Sequence, residues 1–398
     1  MILHHDVQYG GYARRSRLVR YLAVVYVLLV FYASLYPFGP WRQLAASPFA
    51  YLFDPWPRYY SAADVAINII GYLPLGILVT LSALAWATTW WAAVFATVLG
   101  TMVSLSMETL QSYLPQRVPS NLDLLSNGLG ALIGAAVAAS AGKRLLLSGR
   151  LHRLRQRVFL PGAMVDAGFV ILVLWLFTQL YPAVWLFGNG DLRFWLNGVR
   201  NLAYTPESYR WIETGVTALN LAGIGLFVAA LARAGRSTAM PLLLLIAMAV
   251  LLKSVAAAGL FKPGDASLWL TPGAMLGVPL GVVLYVSLMH LPRSRMAPAA
   301  ALVLLAGALL VNAAPENPYI ARSVMVWQVG HFLSFNGITR LVSSLWPFVA
   351  AAYLSWFASL QLRQQRHPER LSTPPDRPEL QGTEGSAANR TEGRRGFR

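Results

Sequence analysis

The chain has 398 residues, of which 56% are hydrophobic and 12% charged, with a formal net charge of +16 and no cysteine. Such a composition excludes an ordinary soluble domain, and the missing cysteines exclude disulfides, thiolate metal ligands and cysteine nucleophiles. A mean hydropathy of +0.51 instead points to an integral membrane protein.

Apolar stretches near the roughly 20 residues that cross a bilayer recur along the chain. They predict ten helical spans, at about 18–38, 64–86, 90–112, 121–141, 164–187, 211–232, 239–260, 268–289, 298–314 and 341–361, the ninth being the shortest. The fold class expected is therefore all-α, integral to a membrane. The apolar run from Leu18 lacks a small-residue cleavage site and is expected to be retained rather than removed as a signal.

The excess of positive charge could suggest a nucleic-acid partner, but its positions argue otherwise. Arg14, Arg15, Arg17 and Arg20 precede the first span, and Lys143, Arg144, Arg150, Arg153, Arg155 and Arg157 crowd the gap after the fourth. Arg233 with Arg236, Arg293 with Arg295, and Arg363 with Arg366 follow spans six, eight and ten. Basic residues accumulate in short cytoplasmic loops, so this pattern places both termini in the cytoplasm and predicts no nucleic-acid partner. Membrane lipids are the expected surroundings, and the inner membrane of a bacterial cell the expected location.

The expected organisation follows in chain order. Residues 1–17 form a cytoplasmic segment, 18–141 a four-helix unit, 142–163 a basic linker, 164–290 a second four-helix unit, 291–362 the last helices with an interfacial segment, and 363–398 a disordered polar tail. The interfacial segment, 315–340, mixes aromatic and polar residues and holds His331, more often a structural residue than a ligand in such a setting. The loops 39–62 and 188–210 are rich in Trp, Tyr and Phe, as befits segments resting among lipid headgroups.

Within the first unit the polar residues gather at the outer helix ends. Asp64 and Asn68 are spaced for one helix face, as are Glu108 and Gln111, and Asp123 and Asn127, with Arg117 in the loop between spans three and four. A charged side chain at a helix centre in lipid costs about 2.5–3.5 kcal/mol, so these groups should face protein or water. Asp64 and Asp123 also suit a first helical turn, where acids favour the dipole. Glu108 does not, since it lies toward the C-terminal end of its helix. Gly76 and Pro74 interrupt span two, and Gly130 with Gly134 forms a small-residue pair suited to close helix packing.

The stretches "DVAINIIGYLPLG" (64–76) and "METLQSYLPQRVPSNLDLLSNGLGALIG" (107–134), with "SLYPFGPW" (34–41), resemble the VanZ-like family of bacterial membrane proteins. The resemblance covers about residues 18–141 and singles out Asn68, Pro74, Glu108, Gln111, Arg117, Asp123, Asn127 and Gly130. It implies a four-helix domain and a context of low-level resistance to teicoplanin, a glycopeptide acting at the outer membrane face. It implies no settled reaction.

The second unit echoes the first. "QLYPA" (179–183) follows "SLYPF" (34–38), and "GVTALNLAGIGLFVAALARAG" from Gly215 superposes Asn220 on Asn68, with Gly273 and Gly277 set against Gly130 and Gly134. The copy lacks counterparts of Glu108, Gln111, Arg117 and Asp123, so it reads as a degenerate repeat that shapes the first.

Three functions stay open. Asp64, Asn68, Gln111, Arg117 and Asn127 could bind an envelope-related ligand: a lipid-linked glycan, a cell-wall precursor or a glycopeptide. Glu108, with Asp123, could instead act as general acid or base on such a substrate, or the cluster could couple transport to protons. No metal-binding pattern, P-loop, GxSxG elbow or dinucleotide fingerprint is present, so no cofactor and no metal is expected.

Overall fold

The computed structural model describes residues 3–145, 155–181, 184–193, 195, 205–260, 266–315 and 333–366. The expectations for the tail beyond 366, for His331 with most of the interfacial segment, and for parts of the basic linker and the second aromatic loop concern residues outside this set.

The described residues form helices α1 (Leu3–Leu35), α2 (Ala62–Ala83), α3 (Thr89–Gln111), α4 (Asn121–Leu145), α5 (Ala163–Thr178), α6 (Pro206–Leu231), α7 (Ala239–Leu260), α8 (Pro272–Leu288), α9 (Arg293–Ala313) and α10 (Leu333–Arg366). Eight are long and apolar enough to cross a membrane, while α5 and α8 are apolar but shorter, at 16 and 17 residues. The ninth helix, expected to be the shortest, has 21 residues. Beyond the helices, an antiparallel bridge between Phe159 and Ala232 ties the approach to α5 to the end of α6.

Local chemistry sets the ends. Ser61 caps α2, accepting from the Asp64 N–H at 3.1 Å while its own N–H reaches the Asp64 carboxylate at 3.2 Å. This capping box satisfies two backbone donors that a helix start leaves open. Thr205–Pro206 and Thr271–Pro272 start α6 and α8 by a threonine cap and a proline at the first position, where its missing N–H costs nothing.

In the first unit α2 and α4 make the most extensive contact among the described helices, and α3 packs on both. Glycine makes this approach feasible. A Cβ at Gly130 would collide with the Ile69 carbonyl, one at Gly134 with the Leu73 carbonyl, and one at Gly76 with the Ala131 carbonyl. Tyr72, Leu75, Val79, Ala96 and Ala135 fill the space beside the crossing. The Tyr26 hydroxyl of α1 donates to the Gly71 carbonyl at 2.7 Å, an acceptor beside the bond that Pro74 cannot complete.

The second core is organised around α6, whose most apolar window is 89% buried, against 56% or less in every other candidate span. Both α8 and α9 lie along it. Gly277 faces the Thr214 carbonyl, and Gly281 lies against the Ala218 carbonyl and Leu221. Gly273, set against Gly130 in the sequence, faces the Glu213 side chain rather than a carbonyl. The third helices differ more: α3 is embedded in its unit, whereas α7 barely touches α6. Contacts of α1 with α5 and α10 join the two cores.

Candidate functional site

The helix directions bring the C-terminal end of α3 and the N-terminal ends of α2 and α4 together, at the end of the bundle that carries the 36–61 loop. Glu108 lies one turn inside the end of α3 and is 4% exposed. Its Oε2 accepts the backbone N–H of Ser120 at 3.0 Å. Ser120 in turn starts α4, its hydroxyl accepting from the N–H groups of Leu122 and Asp123. Asp123 and Arg117 both lie within electrostatic reach of the Glu108 carboxyl, and so does the Tyr72 hydroxyl.

Most of the polar residues expected to converge do so, in two layers. Asn68 of α2 donates to Asp123 Oδ1 at 2.8 Å, linking α2 to α4. Deeper in, Asn127 donates to the Ser104 hydroxyl at 2.9 Å, linking α4 to α3. The Asn127 Oδ1 atom is buried with no hydrogen-bond partner among the described residues, and the Tyr72 hydroxyl lies beside Ser104 and Glu108. A buried polar atom without a partner costs about 1–3 kcal/mol.

Gln111 and Arg117 face α1 and the loop that follows it. Gln111 donates to the Ser34 carbonyl at 3.0 Å, and Arg117 to the carbonyls of Tyr36 at 2.9 Å and Ala33 at 3.4 Å. Burial pulls the Arg117 pKa below its ordinary value, and Glu108 opposes that shift. Asp64 sits in an exposed first turn and completes the α2 capping box.

The 36–61 loop closes over this end. Arg42 pairs with the end of α3 through its N–H to Tyr113 O at 2.8 Å and its Nε to Ser112 O at 2.9 Å. Ser112 donates to Pro48 O, Tyr51 meets Thr109, and Asn121 donates to Asp54 O. Phe53, Trp56, Tyr59 and Tyr60 of the same loop are exposed, as interfacial aromatics are. The loop is therefore both a cover fixed to protein and an aromatic surface.

The residues that sequence reasoning missed lie inside apolar runs. Tyr72 and Ser104 belong to the Glu108 cluster, and their hydroxyls are hidden among aliphatic neighbours in the sequence. Glu213 in α6, 5% exposed, and Lys253 in α7, 3% exposed, are buried ionisable groups of the second unit. Lys253 donates to the Tyr181 carbonyl at 3.1 Å. A charge inside an apolar helix is the usual signal of such groups, and both carried it. Asp166, also buried, is paired with Arg155. Among the described residues no three His, Asp or Glu side chains are grouped to hold a metal ion.

No curated protein and no solved structure matches the chain. The VanZ/LLP1 family model does match, over residues 18–142, from the middle of α1 to the last turn of α4. The chain is thus a multi-pass, membrane-type protein, and its first four-helix unit, the one that buries Glu108, is a VanZ-like domain.

Proposed function

We propose that the VanZ-like domain recognises an envelope-related ligand, lipid-linked or at the cell surface, at the outer face of a bacterial inner membrane. The observation that carries this reading is the Glu108 carboxyl, 4% exposed in a membrane-type helix and grouped with Asp123, Arg117, Tyr72, Asn68 and Asn127. Ionisable residues are kept at such depth mostly for binding, proton transfer or transport. The outer placement rests on the arginines at the opposite helix ends, Arg155, Arg233, Arg236, Arg293 and Arg295, which the charge rule assigns to the cytoplasm. A ligand with both a cationic or hydroxyl-rich part and an anionic part suits a cluster holding two carboxyls and a guanidinium. Glycopeptide resistance would then follow from altered handling of a cell-wall precursor or of the antibiotic itself.

Catalysis by Glu108 as general acid or base is the second reading, favoured by its proximity to Asp123 and Arg117. Mass-spectrometric profiles of lipids, lipid-linked glycans and surface polymers separate the two. Cells would carry no protein, the native protein, or Glu108→Gln at equal abundance. Binding predicts that the native protein shields or redistributes an existing species without a new product, an effect lost in the Gln variant. A species made or consumed only with the native protein replaces the binding reading by the catalytic one. Three identical profiles, with equal glycopeptide susceptibility, contradict both.

A further inference from the structure

The second core holds a cleft that the VanZ-like domain does not share. It has a volume of ≈ 560 Å³ and is lined by Pro206, Glu207, Tyr209, Arg210, Glu213, Thr271, Pro272 and Gly273. The segment "TPESYRWIETG" (205–215) begins α6 and "TPG" (271–273) begins α8, so two proline-initiated helices open side by side onto it. Alternating helix directions place it at the same end of the bundle as Glu108.

Glu213 forms its floor. The residue is 5% exposed and sits two turns into α6, beyond the first turn where the helix dipole favours an acid. Its side chain lies beside Thr271 and Gly273 and has no salt-bridge partner among the described residues. Space for the carboxyl exists because residue 273 is glycine: a Cβ there would collide with Glu213 Oε2 and crowd its Cβ and Cδ. Tyr209, buried and accepting from the Trp185 indole N–H, supplies an aromatic wall. Glu207 and Arg210 are exposed at the rim. Two carboxyls, a hydroxyl and an aromatic face suit an organic ammonium group, which the carboxylate attracts and the ring stabilises. A hard metal ion would want six or more oxygen ligands, which this lining does not offer. Arg210 adds a place for an anionic group beside the amine.

The geometry points to a second ligand site, at the paired starts of α6 and α8, that binds an ammonium-bearing zwitterion on Glu213 with its anionic part at Arg210. The phosphoethanolamine group has this chemistry, either as a lipid headgroup or as a free solute. The full-length chain in detergent would be titrated with lyso-phosphatidylethanolamine, with its N-acetyl derivative, and with soluble O-phosphoethanolamine, by intrinsic tryptophan fluorescence. Trp211, next to Arg210, and Trp185, bonded to Tyr209, report on the cleft. The expected result is binding of the free-amine lipid at least tenfold tighter than of its N-acetyl form. Displacement by O-phosphoethanolamine at comparable concentration identifies a free solute as sufficient, and no displacement assigns the site to the lipid. Glu213→Gln and Gly273→Ala should each reduce the amine preference at least tenfold. Equal affinity of the native chain for the two lipids overturns the proposal whatever the variants do. So does an undiminished preference in a folded Glu213→Gln variant.

Discussion

The α2–α4 crossing allows a sharp test because one helix supplies both the perturbed position and its control. A Cβ added at Gly76, Gly130 or Gly134 would lie inside 3.0 Å of a backbone carbonyl oxygen on the facing helix. Unlike a side chain, a carbonyl in a helix cannot rotate away without breaking its own hydrogen bond. Ordinary contact begins at 3.4 Å, so the helices must part, by about an ångström or more, and packing is lost along the crossing. Overpacking of this kind costs about 1–3 kcal/mol per alanine. Gly71, also in α2, has nothing within 4 Å of such a Cβ. There alanine relieves the conformational cost of a helical glycine, gaining about 0.5–1 kcal/mol. Thermal unfolding of the purified full-length protein in one detergent should therefore rank Gly71→Ala at or above the native protein. Gly76→Ala, Gly130→Ala and Gly134→Ala should fall clearly below it. A melting temperature for Gly134→Ala equal to that of Gly71→Ala would refute the close backbone approach.

Other outcomes follow from single side chains. Glu108→Gln keeps an oxygen for the Ser120 N–H and should lower stability by less than about 1 kcal/mol, whereas Glu108→Leu strands that donor and should lose about 1–3 kcal/mol, both read by thermal melting. Asp64→Ala, which removes half of a capping box, should cost about 1 kcal/mol in the same measurement and leave ligand retention unchanged. Lys253→Met replaces a buried cation held by one carbonyl with a side chain of similar length, and should leave the melting temperature level or raise it. Single cysteines can be introduced without background because the chain has none. Gln116→Cys should react with a membrane-impermeant thiol reagent added to intact cells and Ala234→Cys should not, and the reverse would invert the orientation.

Much of the fold was legible because membrane helices announce themselves by composition over some 20 residues. Where the observed ends moved, local chemistry explains it. The span expected from 211 begins at Pro206, since Thr205–Pro206 is a cap and first-turn pair that hydropathy ignores. The span expected to reach 187 stops at Thr178, because the chain turns to fix the 184–193 loop against α9 and α10: Asn312 bonds Leu192 and Gly190, and the Gly190 N–H donates to the Ser343 carbonyl. Those partners lie more than a hundred residues away and leave no local trace. The site was legible in its acids and amides, whose spacing placed Glu108, Asp123, Asn68 and Asn127 near one another. Its division of labour was not. Arg117 and Gln111 turned toward α1, and Asp64 toward its own cap, because backbone carbonyls and N–H groups compete for side-chain partners and sequence spacing cannot rank them.

The central claim is that the Glu108 carboxyl holds a ligand of the cell envelope. Native protein and Glu108→Gln, extracted from the same cells in mild detergent and matched for melting temperature, should be compared by mass spectrometry of what co-purifies. A lipid-linked or cell-surface species enriched with the native chain and depleted at least tenfold with Glu108→Gln is the predicted result. Identical co-purifying species from the two proteins would contradict it and leave Glu108 as the tether of the α3–α4 loop.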